Sequence, residues 1–307
     1  MKQKLGLQGF YKITCRLPDG TISQQLEFPN LITNLGLNGI GTNGTNWMTS
    51  VSLGTGTGAP ANGDTALSGT VVSTTTVSAP TSASVTGPPR YASDTYSATF
   101  AQGVATGTWT EVGIGRNSTT LWSRALILDG SGNSTSLTVI AIEQLTVEYQ
   151  LRCYMNASDV TGNITISGTS HAYTVRPYVD VYPRSLVDGS WMMASVGGVG
   201  GPFSVQGNNG ALNAAWVDPA GTSFSYTGGL FTVAAYSSTS YTKVCTHTWS
   251  VDYGNLSGGI TVLKPYLRGD GNNGGAMGFK FGFNAALPKD NTKTMSMTFS
   301  YTWSRYT

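Results

Sequence analysis

Two histidines, three cysteines and fifteen carboxylates are the side chains this 307-residue chain offers for acid–base, nucleophilic or metal chemistry. A hydrolytic triad needs a base beside a nucleophile. His171 stands in Gly168-Thr169-Ser170-His171 before an extended run, with no nucleophile-elbow pattern around it. His247 sits between Thr246 and Thr248, where Val244, Cys245 and Trp249 mark a strand. Both read as ordinary strand or loop histidines. So far apart, and without clustered cysteines or acids, they match no zinc spacing. Asp129-Gly130-Ser131-Gly132-Asn133 and Asp270-Gly271-Asn272-Asn273-Gly274 have the Gly/Asn content of calcium loops. They lack the closing bidentate Glu and the alternating acids, so hairpin turns are expected. Gly54-Thr55-Gly56-Thr57-Gly58 lacks the Lys-Ser/Thr of a phosphate loop, and no helical pattern follows it. A glycosidase needs two poised carboxylates, and the scattered acids flag no pair. The expectation is no enzyme, no cofactor and no catalytic, cofactor-binding or metal site.

The densest aromatic set, Trp191, Trp216, Phe224, Tyr226, Phe231 and Tyr236, could stack on a sugar if it shared one exposed face. Core packing is the better reading, and this stretch is the first place to look for a glycan. The cysteines (Cys15, Cys153, Cys245) are odd in number and far apart. That disfavours a disulfide framework and points to synthesis in a reducing compartment. Cys153 and Cys245 fall on apolar phases of their strands.

The elements that must position all of these are strands. Leu145-Thr146-Val147-Glu148-Tyr149-Gln150-Leu151-Arg152-Cys153-Tyr154 alternates apolar and polar residues without a break. So does Met297-Thr298-Phe299-Ser300-Tyr301-Thr302-Trp303-Ser304-Arg305-Tyr306. Thr146/Thr298, Tyr149/Tyr301 and Tyr154/Tyr306 are identical and in phase. A period of two over this length means one face in a core and the other in water. The repeat predicts two tandem antiparallel β-sandwich or jelly-roll-like domains, residues 1–155 and 156–307, echoing each other as in a duplication. An aromatic-rich insertion lies near 203–236.

Composition fits such sheets. Only 10% of residues are charged, against about 25% in ordinary globular proteins. Glycine, with Ser and Thr, fills much of the rest. Seventeen Lys+Arg against fifteen Asp+Glu leave no basic footprint for nucleic acid. No stretch reaches the ~18 apolar residues of a membrane span, and the first residues lack the apolar run of a signal peptide. A low-charge Ser/Thr/Gly/Asn surface suits a chain packed against its own kind.

Along the chain, residues 8 to 28 predict a hairpin around Pro18-Asp19-Gly20, ended by Pro29. Leu31, Ile32, Leu35 and Leu37 give one or two helical turns, cut short by the glycines from Gly36 to Gly44. Trp47 to Leu53 reads as a strand. Asp64 to Pro89 reads as a low-complexity loop or loose edge strand. This segment and Gly197 to Gly210 are expected to be ordered mainly by neighbouring chains, because long structureless loops are uncommon otherwise. Trp191 to Gly201 echoes Trp47 to Gly58, and Tyr241 to Trp249 echoes Tyr91 to Phe100.

Several strings in the first half form a set: Asn30 to Asn38 (NLITNLGLN), Val51 to Pro60 (VSLGTGTGAP) with Asp64-Thr65-Ala66-Leu67, and Thr108 to Gly115 (TWTEVGIG). Leu121 to Ile127 (LWSRALI) and Leu145 to Arg152 (LTVEYQLR) complete it. Together they resemble virion proteins of tailed bacteriophages, of the tail-tip, baseplate and tail-fibre kind, over about residues 28 to 154. The acidic residue such proteins carry before the last strand survives only as Glu143. The resemblance implies a structural component of the tail, baseplate or fibre, made in the bacterial cytoplasm and residing in the virion. It implies other virion proteins as partners and a homo-oligomer, trimer or higher. A receptor-binding module for a host-surface glycan and a capsid decoration or head-fibre protein are the alternatives. Neither nucleic acid nor membrane insertion is expected.

Overall fold

A computed structural model describes residues 1–42, 47–85, 87–155, 158–179, 203–214, 217, 219–224, 229–267 and 277–307. They form β1 (Lys2–Arg16), β2 (Ile22–Ile32), α1 (Asn34–Gly41), β3 (Ser50–Gly54), β4 (Val71–Thr74), β5 (Thr81–Val85) and β6 (Tyr91–Phe100). Next come β7 (Gly107–Trp109), β8 (Glu111–Asn117), β9 (Thr120–Leu126), β10 (Leu137–Val139) and β11 (Gln144–Met155). Then follow β12 (Val160–Ile166), β13 (Thr169–Val179), β14 (Phe203–Asn208), β15 (Ser223–Phe224) and β16 (Gly229–Val233). The last are β17 (Thr242–Trp249), β18 (Ile260–Leu267), β19 (Met277–Leu287) and β20 (Met295–Arg305). The protein is nearly all β, in large antiparallel sheets, as the alternating pattern predicts.

The chain divides into two compact units. Residues 6–82, 93–153 and 304–307 make the first, and residues 1–5, 83–92 and 154–303 the second. The opening residues join the second unit through hydrogen bonds. The Met1 amino group donates to the Thr298 carbonyl at 2.7 Å, and the Met1 carbonyl accepts from the Ser300 N–H at 2.8 Å.

In the first unit β1 and β2 form the expected hairpin, with Tyr11 opposite Phe28 and Ile13 opposite Leu26. The hairpin does not stop at Pro29. That residue pairs with Phe10, and β2 continues to Ile32. A proline is tolerated there because β2 has a second ladder, to β9, only from Leu31 onward. At this point the strand leaves one sheet and joins another, the usual way to turn a sandwich corner. The second sheet runs β9-β8-β3-β4, while β11 pairs with β1 and β6. Tyr11 reaches across to Ser123, hydroxyl to hydroxyl at 2.7 Å, and its ring lies 5.2 Å from that of Tyr149.

The helix is the short one expected, eight residues that end at Gly41 within the glycine stretch, and Thr33 caps its start, accepting from the Gly36 N–H at 3.0 Å. At Gly39 a Cβ would lie 2.7 Å from the Trp122 ring, so the missing side chain is what lets the indole pack. Trp47 and Met48 are buried but precede the strand, which starts at Ser50; Trp47 meets Trp122 edge-on at 6.1 Å. Part of the low-complexity segment is ordered by its own chain. Val71–Thr74 pairs with Gly54–Val51, and β5 pairs with β6.

In the second unit one sheet runs β12-β13-β19-β18-β14-β15, and β16, β17 and β20 pair in that order. The long alternating strands bury the rows the sequence marks. Leu145, Val147, Tyr149 and Leu151 are inside the first unit, and Met297, Phe299, Tyr301 and Trp303 inside the second. The aromatic rows of β19 and β20 meet, Phe281 on Phe299 at 5.6 Å and Phe279 on Tyr301 at 6.0 Å. On the outer face hydroxyls pair across strands, Thr246 with Thr298 at 2.9 Å and Thr248 with Ser296 at 2.7 Å. In the first unit the buried Ser52 pairs with the exposed Ser73 at 2.7 Å. The echo Trp191 to Gly201 lies outside the described residues, as does the start of Gly197 to Gly210; the rest of that segment includes β14.

This two-sidedness has a direct test in urea denaturation. Phe299→Ala should cost about 3–5 kcal/mol of stability. Its outward neighbour, Thr298→Ala, should cost about 1 kcal/mol or less.

Candidate functional site

The densest polar constellation of the first unit lies under the loop from Gly54 to Thr70, and it is built from the recognised strings. β8 opens with Glu111, whose side chain is fully buried. β9 carries Arg124 beside it, since Gly113 pairs with Arg124 and Glu111 with Leu126. Arg124 grips one Glu111 oxygen with two nitrogens, Nε at 2.7 Å and Nη2 at 2.6 Å. The other oxygen, Oε1, accepts from the Gly56 N–H at 3.2 Å and the Ser68 N–H at 2.6 Å. Arg124 also donates to Asp64 Oδ2 at 2.6 Å and to the Gly58 carbonyl at 3.0 Å. Thr110 fastens the loop again, donating to the Gly56 carbonyl at 2.8 Å.

The glycine-rich loop therefore does converge N–H groups on an anion, and that anion is the chain's own glutamate. A Cβ on Gly54 or Gly56 would stand 2.5 Å from Glu111 Oε1, so the glycines make room for the carboxylate. Burial works against the charge on Asp64, but the Ala61 N–H and the Arg124 guanidinium outweigh it and hold the carboxyl below its usual range. A cation clamped between two carboxylates, with its donors engaged, is built to hold a loop still. It presents no free nucleophile, base or metal ligand.

The other candidate residues lie in strand interiors and turns. His171 is buried on β13 opposite Ile164, and neither ring nitrogen has a hydrogen-bond partner among the described residues. His247 is buried on the inner face of β17, its ring 4.3 Å from Trp249. Burial pushes it down to about 4, so it is neutral at ordinary pH. Cys15, Cys153 and Cys245 are buried free thiols. Burial pushes Cys15 up to about 11 and Cys245 up to about 12, and it raises Cys153 as well. Glu143 is buried, accepting from the Ser23 hydroxyl and from the Ile140 N–H at 2.9 Å. Asp129 shapes its turn by accepting from the Ser131 and Asn133 N–H groups, both at 2.9 Å. The Asp270 to Gly274 loop lies outside the described residues. Among the described residues no three His, Cys, Asp or Glu side chains come together as a metal site would require.

Of the aromatic set, Phe224 packs edge-on against Trp249 at 6.0 Å, and Tyr236 stacks on Trp303 at 5.7 Å. Trp191, Trp216 and Tyr226 lie outside the described residues. Sequence reasoning missed the Arg124 clasp. Its signal was present: Glu111 and Arg124 are lone, opposite charges inside otherwise apolar strand runs. No family model, curated protein or solved structure matches the chain.

Removing one partner of a buried pair leaves the other uncompensated, so Arg124→Ala should lose about 3–5 kcal/mol in urea denaturation. Gly56→Ala should also destabilise, because Glu111 is pinned and cannot yield. Gly58, where an added Cβ meets nothing within 4 Å, should accept alanine within about 1 kcal/mol. His247 adds a pH test. Its folded value lies below the ~6.5 of an unfolded histidine, so the unfolded chain binds the extra proton first. The stability it contributes is full above pH ~6.5 and is lost as pH falls toward 4, by on the order of 3 kcal/mol. His247→Leu should flatten that slope; an equally steep variant curve would assign the acid loss to other groups.

Proposed function

We propose that this chain is a non-enzymatic structural component of a tailed-bacteriophage virion, assembled in several copies in the tail, baseplate or tail-fibre apparatus. One observation carries the reading. Four of the strings that resemble such proteins meet in one fastened corner. Thr33, from the first string, donates to the Leu121 carbonyl at 2.7 Å. Asn34 donates its N–H to the Asn62 carbonyl at 2.7 Å. Asp64, Glu111 and Arg124, from three further strings, close the clasp beside them. Residues that resemble a family as scattered strings thus cooperate here as one mechanical part.

In this reading the chain works by packing. Strands give a stiff wall, and loops held from beneath offer uncharged backbone and hydroxyl groups to neighbouring chains. The glycan-binding alternative draws less support, since Phe224 packs against Trp249 and Tyr236 spends a face on Trp303.

An averaged electron-microscopic image of the virions, with this chain labelled by a bound antibody fragment, tests the proposal. Added density on the tail, baseplate or fibres is expected. Density on the head would move the chain to the capsid-decoration reading, and intact virions without the chain would overturn the proposal.

A further inference from the structure

Among the described residues β12 is the longest open sheet edge of the second unit: seven residues, against two in β15 and five in β16. Among the described residues its only ladder partner is β13. An exposed edge offers a row of unpaired N–H and C=O groups, which soluble proteins normally blunt with lysine, proline or a bulge. This one, Val-Thr-Gly-Asn-Ile-Thr-Ile, has no charge and no proline, and its register with β13 is unbroken from Val160 to Ile166. Its two rows differ. Thr161, Asn163 and Thr165 are exposed and polar, while Ile164 and Ile166 are half-buried, and Val160 retains 43% exposure.

The isoleucine row borders unfilled space. Ile164 and Ile166, with Met295 and Met297, line a cavity of about 530 Å³. The two lysines at its wall are already engaged within the chain. Lys289 donates to Asn255 Oδ1 at 2.6 Å and to the Asp290 carbonyl at 2.9 Å, and Lys293 pairs with Asp290 at 2.6 Å. With both ammonium groups so occupied, the cavity has little with which to hold a small anion. Thr165, Ser167, Thr294 and Ser296 line it as well, so its wall mixes apolar side chains with hydroxyls.

We propose that β12 is a self-association edge: a second copy of this chain lays its own β12 antiparallel beside it, about a two-fold axis through Asn163. The sequence is self-complementary in that register. Residue numbers of facing pairs sum to an even number, so every pair keeps its face. Val160 faces Ile166 of the second copy, Gly162 faces Ile164, and Thr161 faces Thr165. The outer row continues as Thr and Asn, and the inner row as apolar side chains. A strand added ~4.8 Å beyond β12 sets that second apolar row beside the cavity. Neither edge carries a charge to repel the other, and a two-fold contact closes on itself without propagating. Pairing through one seven-residue edge is a monomer–dimer equilibrium, so it rises with concentration. The proposal does not depend on the virion reading.

Engineered cysteines test the register, because Cys15, Cys153 and Cys245 are all buried. Directly facing Cα atoms in an antiparallel pair are ~4.5–5.5 Å apart, within disulfide reach. Under mild oxidation of the full chain, Asn163→Cys should form covalent dimers. Thr161→Cys and Thr165→Cys should each form few alone but link to one another when mixed. Equal cross-linking of all three single variants, or none by Asn163→Cys, would overturn the proposal. Sedimentation velocity supplies a second measurement. The native chain should shift from monomer to dimer with rising concentration. Asn163→Lys and Asn163→Glu should each stay monomeric with unchanged circular dichroism, and an equimolar mixture should dimerise again. A native chain that stays monomeric at the highest concentration, or dimers unaffected by Asn163→Lys, would refute the edge.

Discussion

A carboxylate with no exposed surface must be answered where it lies, and Glu111 imposes that requirement on the whole loop side of the first unit. Arg124 answers it from the neighbouring strand, and the register of β8 against β9 is thereby tied to a charge. The loop answers with two N–H groups, which restricts Gly54 and Gly56 to residues without a side chain. Asp64 then balances the guanidinium and draws the far end of the loop inward. Arg305 extends the arrangement to the start of the helix, donating to the Ile32 carbonyl at 2.6 Å and to Asn34 Oδ1 at 2.9 Å. Buried ionic groups seldom add stability over an apolar core of equal volume. Here they fix which residue stands opposite which.

The second unit solves a similar problem differently. Lys280 is fully buried on β19 and donates to the carbonyls of Asn213, Ala214 and Val217, so a cation organises a loop through backbone oxygens. Arg176, opposite Lys280 in the ladder, adds two hydrogen bonds to the same loop and a 2.6 Å pair with Asp159. Most of the remaining interior is apolar and aromatic, with Lys243, His247, Lys264 and Lys289 also buried in it. One unit thus orders a long loop around an anion, and the other orders a loop around cations. Both do so with very few charges.

What the sequence reveals and hides follows from range. Strand identity is local, so the alternation in β11 and β20 announces both the strands and their buried faces. The first hairpin is local too, its turn set by Asp19 accepting from the Thr21 N–H at 2.9 Å. Helix α1 was half legible: its apolar spacing shows, but its tolerance of glycine depends on Trp122, more than eighty residues away. The pairing of Val71–Thr74 was illegible for the same reason, since its partner β3 decides it and its own Ser/Thr/Val composition does not. The clasp joins residues as far as 66 positions apart. Its charges were visible in the sequence, but only the sandwich brings them together.

The hydroxyl pairs on the outer faces carry one further consequence. Surface cohesion built from ion pairs weakens as dissolved ions screen it, over a Debye length of about 10 Å at 0.1 M salt. Cohesion between Thr246 and Thr298, or between Thr248 and Ser296, involves no net charge to screen. The Glu111–Arg124 pair is likewise little screened, because both side chains are buried. These contacts keep their strength as salt changes, while the exposed pairs, such as Lys12 with Glu148, weaken with it.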